Sequence, residues 1–291
     1  MFMLTHAHSA LSVLAGKRMT SLQRDLLIVG SMLPDVAELH IVPEEKTHTQ
    51  GIQFMKHLGK EYHYLGLGVV LHGSEPHGLD YYTHDGFYSV DGSYTAPRRK
   101  SDGYIARCYR DILPLVVEYK KSLGRLSIDE AVHFVVEFCF DHLTAQRNKT
   151  LALVVYKALR KSLDTHAVAN FAHFFDVNRK QMKRLKHIVR SRQNKKILAN
   201  FSTIHGTAHN LQYFIFLKSL REEQKHVRYR FLGKLATVTR SSLVFLQVKV
   251  HDKALVQMFE RAVEIVRRDY DAFMADTIEK MKAMVKKERL V

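Results

Sequence analysis

The sequence predicts an all-α fold, a bundle of many helices. Only five Pro and fourteen Gly occur among the 291 residues, so few positions disfavour a helix. Apolar residues recur three and four positions apart along most of the chain, which is typical of helices with one buried face. Ser127 followed by Glu130 has the form of a capping box, which marks the start of a helix.

The helices can be placed in chain order between the segments that break the pattern. Loops are predicted over 31–47, which contains two Pro, and over 86–97, which is rich in Gly, Ser and Asp. Pro76 suits the first position of a short helix. The apolar run Ser241–Val250 is compatible with a strand or with a buried helix. Helices are predicted over 7–17, 21–30, 49–60, 62–72, 76–84, 104–122, 127–146, 150–162, 178–191, 194–220 and 252–287.

Composition excludes several classes of protein. The two cysteines, Cys108 and Cys139, are too few for a disulfide framework or a cysteine-type zinc site and are expected in the core. No segment has the ~20 consecutive apolar residues of a membrane-spanning helix. His6 and His8 interrupt the apolar N-terminus, so no signal peptide is predicted and a cytoplasmic location is expected.

Positive charge is concentrated in the second half of the chain. Residues 151–291 hold 29 Lys and Arg against 12 Asp and Glu, a net charge of +17, whereas residues 1–100 have a net charge of −1. This excess either attracts an anionic partner, such as nucleic acid or a phospholipid surface, or belongs to solvated helix faces. The densest run, within 177–199, lacks aromatic residues that could stack on bases. Its candidate anion-binding residues are Lys183, Arg184, Lys186, Arg190 and Arg192.

The histidines point to a metal. The chain has 18 of them, nine within the first 90 residues and several close to Asp or Glu. Neutral imidazole and carboxylate are the usual zinc ligands where thiolates are absent, and they also suit manganese and iron. His133, Glu137 and Asp141 lie four residues apart on one face of an otherwise apolar helix. Such buried groups need either a cation or a structural salt bridge between them.

Other segments carry the same residue types. Asp80 and His84 also lie four residues apart on one helix face, and one of His72, Glu75 and His77 is expected to join them.

Near the N-terminus, Asp35 follows a Pro and precedes His48 by thirteen residues, and His6 and His8 stand at the start of the chain. The predicted architecture is therefore a multi-helix bundle with a metal site between buried helices.

Taken in order, these residues resemble the zinc-dependent phospholipase C family, whose fold is shared with the fungal single-strand nucleases. Members are all-helical and cleave phosphodiesters with three zinc ions. The resemblance covers about residues 5–141 and implies two or three zinc ions here, because this chain has no Trp to match the ligating N-terminal tryptophan of secreted members. The metal ligands that it implies are His6, Asp35, His48, His72, Asp80, His84, His133 and Glu137.

The resemblance also implies a mechanism and a domain organisation. Metal-activated water would hydrolyse a phospholipid, nucleotide or polynucleotide diester, with Asp35 or Asp141 taking the proton. A metal-binding helical core over 1–150 and a basic helical region over 151–291, packed as one body, are predicted. Residues that could orient the ligands, or replace one of them, are His8, His77, Asp85 and Asp141.

Two other functions are compatible with the sequence. The adjacent pair His84-Asp85 is reminiscent of the HD phosphohydrolases, with His48 or His57 upstream and Asp141 downstream. A non-enzymatic helical protein could instead offer its basic surface to nucleic acid or membrane. That last function gives no reason for buried histidines and carboxylates in the neutral half of the chain.

Overall fold

The computed structural model describes residues 3–35, 44–85, 103–162, 166–178, 192–226 and 253–291. These residues form helices joined by turns, with a short 3₁₀ helix at Lys60–Tyr62, and include no strand, which confirms the predicted all-α fold. The helices are α1 Met3–Val13, α2 Ser21–Gly30, α3 Glu44–Thr49, α4 Gly51–His57, α5 His63–His72, α6 Leu79–His84, α7 Tyr104–Glu118, α8 Ile128–Arg147, α9 Leu151–Ser162, α10 His166–Phe174, α11 Arg192–Asn200, α12 Ile204–His226, α13 Lys253–Arg267 and α14 Tyr270–Lys287.

Some helix boundaries differ from the prediction. The short helix expected from Pro76 begins only at Leu79, and α3 occupies the end of the predicted loop 31–47. The single helix expected over 252–287 is two helices, α13 and α14. Near this break the buried Tyr104 hydroxyl shares its one hydrogen between the Val266 carbonyl oxygen, 3.1 Å away, and the Asp269 carboxylate.

Some predictions fall where no structure is described. The helix expected over 178–191 lies outside the described residues, except for its first residue. The segment Ser241–Val250 also lies outside them. Arg192 is the first residue of α11. The other candidate anion-binding residues also lie outside the described residues: Lys183, Arg184, Lys186 and Arg190.

Helix α8 is the centre of the fold. Every residue from Ala131 to Ala145 is buried, as the apolar character of this segment predicts, and α1, α7, α12 and α13 pack around it. The start of α8 has the predicted capping box, in which the Ser127 side chain accepts from the Glu130 N–H and the Glu130 carboxylate accepts from the Ser127 N–H.

Aromatic side chains join the two halves of the chain. The Phe138 ring lies 5.5 Å from the Phe201 ring and 6.4 Å from the Phe259 ring, measured between centroids. Cys108 and Cys139 are buried and form no disulfide, as expected for core residues. The domain boundary near residue 150 stays a prediction. Among the described residues, no helix combines the length and the apolar character needed to cross a bilayer.

Helices α2 and α5 touch backbone to backbone because glycines face each other. A Cβ atom at Gly68 would lie 2.4 Å from the Leu27 carbonyl oxygen, and one at Gly30 would lie 2.1 Å from the Leu65 carbonyl oxygen. This close approach places His72, at the end of α5, beside Ser31, which directly follows α2. The glycine contact therefore helps to position a predicted metal ligand.

Replacing Gly68 with Ala is expected to separate α2 from α5 and to lower the free energy of unfolding by about 1–3 kcal/mol, the usual cost of overpacking. Urea unfolding of the purified variant measures this change. Gly59→Ala is the matched control, because Gly59 has a φ of −65° and a Cβ atom there would meet no other atom within 4 Å. Equal stability of the two variants would contradict the packing argument.

Candidate metal centre

Six segments of the first half bring all eight predicted ligands into one connected set of side chains, called here the His–carboxylate cluster. Within it, nitrogen and oxygen atoms form three groups, in each of which the ligand atoms lie within 4.8 Å of one another. The groups are His6, His72 and Asp80; Asp35, His48 and His72; and His84, His133 and Glu137.

Asp80 is the hub of the cluster, because its carboxylate touches four imidazoles. Its Oδ1 lies 3.3 Å from His6 Nε2 and 3.3 Å from His84 Nδ1. Its Oδ2 lies 2.9 Å from His48 Nε2 and 3.1 Å from His72 Nε2. A carboxylate in this position can bridge two neighbouring ions.

His72 limits how the first two groups can be filled. Its Nδ1 donates a hydrogen bond to the Ser31 carbonyl oxygen, 2.7 Å away, so Nε2 holds the only lone pair that can bind an ion. That Nε2 lies 3.2 Å from His48 Nε2 and 3.5 Å from Asp35 Oδ1. Asp35, His48 and His72 can therefore share one ion, and Oδ2 of Asp80 lies within 3.1 Å of both imidazole nitrogens.

His6 belongs to the other side of Asp80. Its ring stacks on that of His72, with centroids 3.7 Å apart and planes inclined by 13°. Because the His72 lone pair serves a single ion, a separate ion on the His6 side would have only His6 and Oδ1 of Asp80 from the cluster.

The third group is compact. His84 Nε2 lies 2.9 Å from His133 Nε2 and 3.4 Å from Glu137 Oε1, and His133 Nε2 lies 3.0 Å from the same oxygen. Tetrahedral sites with bonds of 2.0–2.2 Å have ligand atoms roughly 3.3–3.6 Å apart, and octahedral sites roughly 2.8–3.1 Å apart. The observed separations fit a metal ion without choosing between these geometries. Three protein ligands with an open position are typical of catalytic zinc.

Local hydrogen bonds orient the imidazoles. Thr83 Oγ1 donates to the Leu79 carbonyl oxygen, so it accepts from His84 Nδ1, 2.9 Å away. Thr47 Oγ1 lies 3.0 Å from His48 Nδ1. In both histidines this leaves Nε2 directed into the cluster, as expected for a ligand supported by its neighbours.

Electrostatics in the cluster favour the ligand forms of most side chains. Burial lowers the pKa of His6 and of His133 to about 4, so both imidazoles are neutral at pH 7. Burial opposes ionisation of Asp80, but the imidazoles around it hold the pKa of this carboxyl well below its usual range. Burial also opposes ionisation of Glu137, but His133 and His84 hold the pKa of its carboxyl well below its usual range. Neutral histidines beside ionised carboxylates are the states that bind metal.

His84 is the exception. Burial alone would lower its pKa, but Asp80 and Glu137 together raise it to about 10. In the metal-free protein His84 is therefore a buried imidazolium between the two carboxylates, and a metal ion must displace its Nε2 proton. The raised pKa stabilises the metal-free fold fully below pH 6.5, and this stabilisation is lost as the pH rises through about 10.

Zinc uptake is therefore expected to release one proton from His84 at pH 7. Because one proton is displaced, the apparent affinity should rise about tenfold per pH unit between pH 7 and pH 9. Titration with Zn²⁺ against a competing chelator at several pH values measures the slope. A pH-independent affinity would contradict His84 as a ligand.

The remaining predicted residues lie outside the three groups. His8 is half-buried on α1, and burial lowers its pKa. His77 is exposed and stacks on Tyr81, with centroids 3.7 Å apart. Glu75 is exposed, and its backbone N–H donates to the His48 carbonyl oxygen. Of the three alternatives His72, Glu75 and His77, the structure brings His72 to Asp80.

Of the residues named for an HD phosphohydrolase, His48 and His84 belong to two different groups of the cluster. Asp85 and Asp141 belong to none of the three groups. His57 is exposed and packs against Phe174. Asp141 is fully buried and lies against the first turn of α1. Burial raises the pKa of its carboxyl to about 7, although hydrogen bonds from Thr5 favour the ionised form.

Sequence reasoning missed the residues that orient the histidines. A signal was present, because three of the ligand histidines directly follow a threonine: Thr5-His6, Thr47-His48 and Thr83-His84. All three threonines are fully buried. No sequence signal pointed to Ser31, whose carbonyl meets His72 through the packing of α2 on α5.

The chain was also compared with known proteins. No family model, no curated protein and no solved structure matches it. What can be concluded directly is that buried groups of His, Asp and Glu in this all-helical fold could hold metal ions.

Proposed function

We propose that the protein is a metal-dependent phosphodiesterase of the zinc-dependent phospholipase C type. The observation that carries the proposal is the position of Asp80, whose two oxygens face two separate sets of imidazoles within 3.3 Å. A shared carboxylate between neighbouring ligand groups is suited to adjacent metal ions, and such ions commonly serve phosphoryl transfer. The order of the ligands along the chain, from His6 to Glu137, is the second support.

The donor set fits zinc. Imidazole nitrogens and carboxylate oxygens are its usual ligands in the absence of thiolates, and manganese or iron would accept the same atoms. The group of Asp35, His48 and His72 and the group of His84, His133 and Glu137 support one ion each, and the partial set of His6 with Asp80 supports a third ion that needs further ligands. When bound, such ions lower the pKa of water and neutralise the phosphoryl oxygens of the substrate.

The chain's own residues supply the rest of the proposed chemistry. Asp35 Oδ2 is buried and makes no hydrogen bond to any described residue, while Oδ1 faces His72. This oxygen is thus available to accept the proton of an attacking water, the role of a general base. Asp141 is less suited to that role, because it belongs to none of the three ligand groups and its Oδ1 holds the first turn of α1 through three hydrogen bonds.

Metal analysis combined with a diesterase assay tests the proposal. Protein stripped with a chelator and reloaded with Zn²⁺, Mn²⁺ or Fe²⁺ is expected to bind at least two ions per chain. The loaded protein should hydrolyse bis(4-nitrophenyl) phosphate, a chromogenic diester, faster than the corresponding monoester.

Further substrates then separate the classes of diester. Phosphatidylcholine vesicles, a cyclic nucleotide and single-stranded DNA represent lipid, nucleotide and polynucleotide. No bound metal after reloading would contradict the proposal, and so would bound metal without hydrolysis of any of these diesters. The second outcome would favour the non-enzymatic binding protein.

A further inference from the structure

Asp141 lies one turn beyond Glu137 on α8 and is fully buried. Its Oδ1 accepts hydrogen bonds from the backbone N–H of Leu4, at 3.1 Å, and of Thr5, at 2.9 Å. Both residues belong to the first turn of α1, where N–H groups have no acceptor within the helix. Asp141 therefore caps α1 from a different helix, with its oxygen at the end where negative charge is favourable.

A chain of hydroxyl groups extends this cap. The Thr5 hydroxyl donates to Asp141 Oδ1, at 2.9 Å, and lies 3.0 Å from Thr144 Oγ1, which in turn lies 2.5 Å from the Tyr270 hydroxyl. Because Thr5 has donated its one hydroxyl hydrogen, it must accept from Thr144, and Thr144 must accept from Tyr270. All the hydrogens in this buried chain point towards Asp141, and the chain ties α1 to α8 and α14.

The cap also determines where His6 lies, because His6 directly follows Thr5. In this position the His6 ring stacks on the His72 ring, and His6 Nε2 lies 3.3 Å from Asp80 Oδ1. One residue along a helix corresponds to a rotation of about 100°, so a small slip of α1 would turn the imidazole away. Three successive turns of α8 thus serve the cluster: His133 and Glu137 as ligands, and Asp141 through α1.

We propose that Asp141 is a positioning residue, which caps the first turn of α1 and thereby holds His6 against Asp80 for metal binding. This inference rests on the proposed function, because it assigns His6 to a metal ion. It accounts for the third residue of the pattern His133, Glu137, Asp141, to which the ligand groups give no role.

Two measurements on Asp141→Leu, which removes the acceptor oxygen, test the inference. In the metal-free protein, amide exchange should become faster in the α1 peptide and stay unchanged in the α2 peptide. In Zn²⁺ titrations, one ion should bind about 10- to 100-fold more weakly, the usual effect of losing a partner that orients a ligand. Asp141→Asn keeps an acceptor oxygen and should restore most of the affinity.

A double-mutant cycle with His6→Ala separates positioning from general destabilisation. If Asp141 acts through His6, both single variants weaken the same ion, and the double variant weakens it no further than His6→Ala alone. Additive effects would overturn the inference, and so would Zn²⁺ affinities of Asp141→Leu within about twofold of the parent.

A milder variant serves if Asp141→Leu does not fold. Thr5→Val keeps the shape of the side chain but removes the hydroxyl between Asp141 and Thr144, so it should weaken the same ion, and unchanged affinity would overturn the inference. A parent protein that binds no Zn²⁺ would contradict the proposed function itself. Zn²⁺ binding that neither variant alters would contradict this inference alone.

Discussion

Replacing Asp80 with Asn is expected to abolish diester hydrolysis and to weaken metal binding by more than about 100-fold. Loss of a residue that only orients a ligand usually weakens metal binding by about 10- to 100-fold, and the loss of Asp80 should exceed this range. The reason is that Oδ1 of Asp80 faces His6, whereas its Oδ2 faces His48 and His72. An amide would present a nitrogen, which is a poor ligand, to one of these sides. Elemental analysis after reloading with Zn²⁺ and the assay with bis(4-nitrophenyl) phosphate measure the two losses.

The matched control for this change is Asp25→Asn. Asp25 is as buried as Asp80, each having a relative exposure of 7%, but it pairs with Lys161 on α9, 3.2 Å away, rather than with any histidine. Its variant should keep its full metal content while losing stability through the broken ion pair. If Asp80→Asn kept the same metal content as Asp25→Asn, the cluster would be a structural network and not a metal centre.

Replacing Glu137 with Gln is expected to remove the ion of the third group while leaving the fold largely intact. His84 and His133 would remain, but two imidazoles without a carboxylate bind zinc much more weakly than the set of three. The amide keeps the shape of the side chain, and Asp80 still pairs with the protonated His84, so the free energy of unfolding of metal-free protein should fall by no more than about 1–3 kcal/mol. Metal content, diesterase activity and urea unfolding of the same variant measure these effects.

A structural ion pair would give the opposite result. Breaking a buried pair costs about 3–5 kcal/mol, and metal content would not change. Glu130→Gln is the matched control on the same helix, because glutamine also completes a capping box and Glu130 lies at the exposed start of α8. A large loss of stability in Glu137→Gln with unchanged metal content would contradict its role as a ligand.

The candidate site could be predicted where its residues share one helix. His133 with Glu137 and Asp80 with His84 are pairs four residues apart, and the periodicity of the helix alone places each pair on one face. The helix starts were less predictable. Pro76 is a favourable first residue, yet α6 begins at Leu79, because local preference is a weak guide where tertiary contacts decide the boundary.

The contacts between helices could not be derived from spacing. His6 and His72 are 66 residues apart in the chain and stack face to face, and the choice of His72 over Glu75 and His77 depends on where α5 ends against α2. Asp141 was a candidate base or spare ligand from its spacing. Its capping role became visible only once the first turn of α1 was seen to lie against α8.

The sequence by itself determined the all-helical class, the burial of α8 and the residues able to bind metal, because periodicity and donor chemistry are local properties of the chain. Only the tertiary structure decided which donors meet, that Asp80 stands between two sets of imidazoles, and that Ser31, Thr47 and Thr83 orient them. The physical reason is that these contacts depend on the rotation and offset of packed helices. Both are set by side chains far from the site, such as the glycines between α2 and α5.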